Sequence, residues 1–242
     1  MQQPRKFILV PRSDTFGFVK SIPKAVIQNL LKPSGRTSLP QTEKVKEFFS
    51  KNRNSPEVED IQDGSTGYLT PAFQYVVDQI PTGDVKQVVD LGCGNGNFAT
   101  HIDSSKTEYL GIDLITPPSS SGRTFIAVAI GDNLSVPDMN NGIKLFLCAN
   151  FLCYVDDPSA PKNFIDRHSS RGDFLAVIDP HGKIWWETFF YGISVFIRKP
   201  SEISALFEKD GWMQIQSSGI YLFTVFGAPL FMTTSIQVFR KQ

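Results

Sequence analysis

Apolar residues along the chain fall into two rhythms. From residue 88 to 178 short runs of aliphatic and aromatic residues recur between turns: Val88-Val89, Tyr109–Ile112, Phe125–Ile130, Leu145–Ala149 and Phe174–Ile178. Runs this short that stay apolar at successive positions predict strands buried on both faces of a parallel sheet. Other stretches follow the helical period. Phe73, Val76, Val77 and Ile80 stand at i, i+3, i+4 and i+7 behind a Thr70 cap with Pro71 in the first turn, which predicts a helix facing a core. A further helix ends near Ser170, and Ser201 is expected to cap one running to Lys209, with Ile203, Leu206 and Phe207 inward and Gly211 as its stop. Met213–Leu222 and Thr233–Phe239 read as two β segments joined around Gly227-Ala228-Pro229. Strand, turn and helix in alternation imply an α/β protein with a doubly wound, Rossmann-like sheet and helices on both faces.

The first 65 residues have a weaker pattern. Phe7–Val10 is a short apolar run, Ala25–Leu31 has helical character, and Thr42 can open a short helix through Lys51 with Val45, Phe48 and Phe49 on one face. The division expected is an N-terminal basic extension or lid over residues 1–65 and one α/β domain over 66–242. Charge reinforces it. The net charge of the whole chain is zero, but residues 1–53 hold eleven Lys/Arg against three Asp/Glu. This basic segment either packs on the acidic body or docks on a polyanion; overall neutrality argues against nucleic acid as the partner.

Gly211–Phe239 carries no charge, but polar residues and Pro229 interrupt it, so no membrane span is expected. Three cysteines, Cys93, Cys148 and Cys153, lack metal-ligand spacing and read as reduced thiols of a cytoplasmic protein.

The chemistry concentrates after the first strand, where Val88–Phe98 reads Val-Val-Asp-Leu-Gly-Cys-Gly-Asn-Gly-Asn-Phe. Gly92, Gly94 and Gly96 allow a tight turn on which a ligand can lie directly against the backbone. A helix is expected from Asn97, carrying Phe98, His101 and Ile102. The dinucleotide pattern Gly-x-Gly-x-x-Gly is not met, because the third glycine comes one residue early. Asp90 stands two residues before the first glycine, where a carboxylate repels a pyrophosphate and favours a cation. Asp113, at the end of the second strand and about twenty residues beyond the turn, is placed to accept from the hydroxyls of a ribose.

Together these residues resemble the class I S-adenosylmethionine-dependent methyltransferases, over about residues 66–242. The resemblance implies a seven-stranded, mostly parallel sheet with an antiparallel last strand, and S-adenosylmethionine as cofactor. It places Asp90, Gly92, Cys93, Gly94, Gly96, Asp113 and Leu114 around the cofactor. It also implies that Asp132, within Gly131-Asp132-Asn133, meets the adenine, and that Asn150 and Phe151 line the methionine side. Asn150–Pro158 resembles the fourth motif of small-molecule methyltransferases of the quinone-biosynthesis type, but with Lys144 where an acid is usual and Tyr154 where a His is frequent. Tyr68 is placed to stack on cofactor or substrate.

Trp185, Trp186, Phe189, Phe190, Tyr191 and Phe196 follow the fifth strand, where the family builds acceptor pockets; they read equally as a core helix. Methyl transfer from a sulfonium needs alignment and dryness more than a catalytic triad. If the acceptor has a proton to lose, His181 is the first candidate base, followed by Tyr154 and Glu187. The function expected is methyl transfer to an O, N or C nucleophile of a small apolar or aromatic metabolite, with an RNA or protein acceptor as the second reading. No metal is implied.

Overall fold

The apolar runs of the sequence lie side by side, and their register sets the site. The computed structural model describes residues 8–9, 41–52, 69–81, 83–115, 123–130, 134, 142–180, 196–225 and 228–242. Strands β2 (Val85–Leu91), β3 (Glu108–Asp113), β4 (Thr124–Ala127), β5 (Ile143–Ala149) and β6 (Phe174–Pro180) are parallel to their strand neighbours in this set. The long strands β7 (Trp212–Val225) and β8 (Ala228–Lys241) form an antiparallel pair, with β8 inserted against β6. A two-residue strand, β1 (Ile8–Leu9), pairs parallel to β7. The order is β1-β7-β8-β6-β5-β2-β3-β4: the seven expected strands with an eighth at the edge, taken from the Phe7–Val10 run.

Alternation across the pleat builds a core on each face. Val88, Leu145, Leu147, Ala176 and Ile178 point to one side, beneath helix α2 (Leu69–Gln79) with its Phe73 and Val76. Val89, Leu91, Phe146, Cys148 and Val177 point to the other. There they meet Phe164 and Ile165 of helix α3 (Ser159–His168) and Ile203 and Phe207 of helix α4 (Pro200–Glu208). This two-sided burial is why the strands read as unbroken apolar runs. Helix α1 (Gln41–Asn52) is the one described helix of the N-terminal segment.

Three local expectations change. The segment after the glycine turn is a 3-10 helix, Asn97–His101, and Ile102 is already extended at φ −118°. Helix α4 starts one residue before Ser201, at Pro200. Lys199 is its N-cap residue, and the Lys199 N–H donates to the Glu202 carboxylate at 2.8 Å. The third strand stops at Ala127, short of Ile130, after which the Val128 N–H donates to the Asp113 carbonyl at 2.8 Å. Residues 128–130 are thereby released from the ladder to face the cavity described below. Lys144 lies at the far end of β5 from that cavity, its Nζ donating to the His168 carbonyl at 3.2 Å.

Cys93, Cys148 and Cys153 are buried free thiols. Among the described residues no helix is long and apolar enough to cross a membrane.

Gly111, in the middle of β3, is required by packing. A Cβ there would stand 2.7 Å from Cys93 Sγ and 2.7 Å from Phe125 Cδ1. Gly111→Ala is expected to destabilise the protein by about 1–3 kcal/mol, the usual cost of overpacking. Urea denaturation checks this, a loss below 0.5 kcal/mol (about the scatter of neutral substitutions) counting against it.

Candidate functional site

Strand order reverses between β2 and β5, since the chain runs outward from β2 through β3 to β4 and then returns to start β5 on the other side. Ligands of open α/β sheets lie beyond the carboxyl ends of strands at such a reversal. A cavity of about 460 Å³ lies there, a size usual for small-molecule sites.

The glycine turn forms one wall. Gly92, Gly94 and Gly96 have φ of 73°, 52° and 73°, values that a residue with a Cβ adopts only under strain. The turn is fastened to β3: the Gly92 N–H donates to the Ile112 carbonyl at 2.7 Å, and the Gly94 N–H to Asp113 Oδ2 at 2.8 Å. A Cβ on Gly92 would come 2.5 Å from Phe151 Cδ2, so the bare backbone also makes room for the opposite wall. Gly96 stands at the back of the loop, where a Cβ would meet Phe125 at 2.9 Å.

Asp90 ends β2 beside this turn and is 3% exposed. The Tyr109 hydroxyl donates to its Oδ2 at 2.6 Å, while Oδ1 has no hydrogen-bond partner. Burial raises its pKa to about 7; the Tyr109 hydrogen bond opposes the rise and the Asp113 charge adds to it. Burial, with the charges of Asp90 and Asp113, also pushes the Cys93 thiol up. Cys93 is therefore a neutral neighbour of Asp90.

The opposite wall comes from the end of β5. Asn150 adopts φ 50° and its N–H donates to the Ile178 carbonyl at 2.7 Å. Phe151 follows, then a 3-10 turn, Leu152–Tyr154. Helix α1 adds a further wall: Val45 is buried, and the Phe49 ring meets the Tyr154 ring edge-to-face at 5.5 Å.

Of the residues singled out in the sequence, Asp90, Gly92, Cys93, Gly94, Asp113, Leu114, Asn150, Phe151 and Tyr154 line this one cavity. Tyr68, Gly131, Asp132, Asn133, His181 and Glu187 lie outside the described residues, as does the aromatic cluster apart from Phe196. Sequence reasoning did not assign Val45, Lys46 and Phe49 of α1, or Leu69 and Phe73 of α2, to the cavity, where the structure puts them. The helical spacing of Val45 and Phe49 was visible, but not what it faced. Among the described residues no group of His, Cys, Asp or Glu is arranged to hold a metal.

No protein-family model matches the chain, and no curated protein matches its sequence. Solved structures do match. A Haloferax volcanii methyltransferase, described as putative and solved with the Trm112 methyltransferase activator, shares 16% identity at a TM-score of 0.58, covering 80% of this chain and 97% of that one. The Burkholderia thailandensis 1,6-didemethyltoxoflavin-N1-methyltransferase, solved with 1,6-didemethyltoxoflavin and S-adenosylhomocysteine, gives 13% and 0.58 over 87% and 94% of the chains. The Synechocystis magnesium protoporphyrin IX methyltransferase, with bound S-adenosylmethionine, gives 14% and 0.52 over 85% and 100%. This chain has the methyltransferase fold. Within that fold the order of β2 to β8 and the antiparallel β8 agree with the architecture expected from the sequence.

The buried acid yields a stability test. Folded Asp90 keeps its proton to pH about 7, against an ordinary carboxyl value of 3.8. Its contribution to stability is full below the ordinary value and is lost as pH rises through the folded one. Asp90→Asn removes that slope, so the ligand-free variant should gain on the wild type by about 1.4 kcal/mol per pH unit across the window. Denaturation at pH 5 and pH 8 measures it; an equal gap at both values means the acid is ionised throughout.

Proposed function

We propose that this protein is an S-adenosylmethionine-dependent methyltransferase whose acceptor is a small, apolar or aromatic molecule. The observation that carries the proposal is Asp90: a carboxyl buried beside a bare glycine turn, with one oxygen lacking a partner. A buried carboxylate is costly unless a charge offsets it. A ligand that brings an ammonium group to this spot satisfies the acid, whereas a dinucleotide brings phosphates that it repels. The fit extends along the cavity. Asp113 ends the neighbouring strand and lines the same cavity, where it would accept from ribose hydroxyls, and the glycine backbone leaves space beside it. S-adenosylmethionine would supply an activated methyl carbon on a sulfonium.

The protein's own contribution is to bind, align and dry. Asp90 takes the charged amino end and the Gly94 turn the ligand's centre. Val45, Phe49, Phe73 and Tyr154 form the apolar and aromatic part of the cavity, which excludes water where the acceptor enters. Helix α1 then acts as a cover, the lid reading of residues 1–65. If the acceptor has a proton to give up, Tyr154 can hold a hydrogen bond to it, and His181 and Glu187 are the other candidate proton acceptors. The neighbours in fold named for methylating 1,6-didemethyltoxoflavin and magnesium protoporphyrin IX support a small acceptor.

Calorimetry with S-adenosylhomocysteine and with NADH tests the cofactor. The first should bind and the second should not. Asp113→Ala should weaken binding at least tenfold, about 1.4 kcal/mol, because it loses both the ribose contact and the bond holding Gly94. Equal affinity in wild type and variant removes Asp113 from the site, and binding of NADH alone overturns the proposal.

An RNA or protein acceptor would use the basic first segment for docking. Deleting residues 1–40 separates the readings, since it spares α1. Cofactor affinity should be unchanged, and gel-shift binding of mixed RNA should be negligible before and after. RNA binding that is lost on deletion would favour the second reading.

A further inference from the structure

The turn that carries Phe151 and Tyr154 into the cavity is held from a distance by a single side chain. Arg198 lies well beyond it in the chain, just before α4. Its Nη1 donates to the Leu152 carbonyl at 2.6 Å and to the Phe196 carbonyl at 3.4 Å. Its Nη2 donates to the carbonyls of Val155 at 2.7 Å and Asp156 at 3.0 Å. The Phe196 N–H donates to the Cys153 carbonyl at 2.7 Å. Four carbonyls in and after a one-turn helix, at Leu152, Cys153, Val155 and Asp156, are thus met by two residues more than forty positions away.

A short helix leaves such carbonyls open at its end; here only that of Leu152 also accepts within the turn, from the Val155 N–H at 3.0 Å. A planar guanidinium can reach several at fixed spacing, which a single ammonium cannot. Beneath the turn lies Asp179, 1% exposed, with the Cys153 amide and the Arg198 charge as the groups that face its carboxyl. Burial raises its pKa to about 8, against the opposing charge of Arg198 and the Cys153 amide. The turn is therefore caught between a buried acid and a fixed cation. Two cavity-lining rings flank the turn: Phe151 against Gly92, and Tyr154 against Phe49 of α1.

We propose that Arg198 is a positioning residue, whose guanidinium fixes the Leu152–Tyr154 turn so that Phe151 and Tyr154 stand as one wall of the cavity. The role assigned to that wall rests on the cofactor reading above; the grip itself does not.

The test uses full-length protein labelled with 3-fluorotyrosine, with Tyr154→Phe to assign the Tyr154 fluorine line. In the wild type this line should be displaced from the free amino-acid position by the edge-on Phe49 ring. In Arg198→Met it should collapse towards the free position, while the lines of core residues Tyr75 and Tyr109 stay in place. Affinity for S-adenosylhomocysteine should fall at least fivefold. Arg198→Lys keeps the charge and the stem, and should shift the Tyr154 line only part of the way. The proposal is overturned if the Tyr154 line is unmoved in Arg198→Met, if Tyr75 and Tyr109 move with it, or if lysine restores the wild-type spectrum in full. Absence of S-adenosylhomocysteine binding in the wild type sinks the cofactor reading instead, and the fluorine lines still decide the grip.

Discussion

A carboxyl group almost wholly withdrawn from solvent at the wall of a cavity governs this architecture. Asp90 has one hydrogen bond, from Tyr109, and one oxygen with none. Tyr109 is itself buried and pinned by the ladder between β2 and β3. The register of two strands thereby decides where a charge can be accepted. Cys93, raised by the same burial, adds no competing charge. The glycine turn above them is the complement: it exposes backbone where Asp90 needs a ligand, and Asp113 ties it to the next strand. Loop, acid and the Asp113 carboxylate are one unit, because each is fixed by β2 or β3.

The fold was legible because its strands are buried on both faces. Such strands leave short apolar runs in the sequence, and the runs at 88, 109, 145 and 174 all became strands close to their expected limits. The residues that line the cavity beside the glycine turn were legible for the same reason, since they stand at the ends of those strands. The misplaced boundaries have tertiary causes. The post-glycine segment has few residues before Asp103 turns it, and it forms a 3-10 helix rather than a longer α-helix. Residues 128–130 leave the strand although their composition suits one, because after Val128 the ladder gives way to the cavity edge.

What the sequence concealed is long-range. Val45 and Phe49 have helical spacing that fits any core, so it left a lid and a merely stabilising extension equally open and did not show that these two residues line the cavity. Arg198 reads as an ordinary surface cation before a proline. Its partners are main-chain carbonyls, which carry no side-chain signature, and they lie more than forty residues upstream. Function here is divided between groups that announce themselves by type, such as Asp90 and Asp113, and groups whose meaning exists only in the folded chain.

The insertion of β8 between β6 and β7 has a consequence for folding. Strand β7 reaches the parallel strands only through β8, whose ladder ends at Lys241. Strands β2 to β6 can pair with one another without it, but β7 joins them only once β8 has paired with β6 on one side and with β7 on the other. Until that happens the open edges of β6 and β7 present unpaired N–H and C=O groups, a template to which another chain can add and which a chaperone has reason to cover.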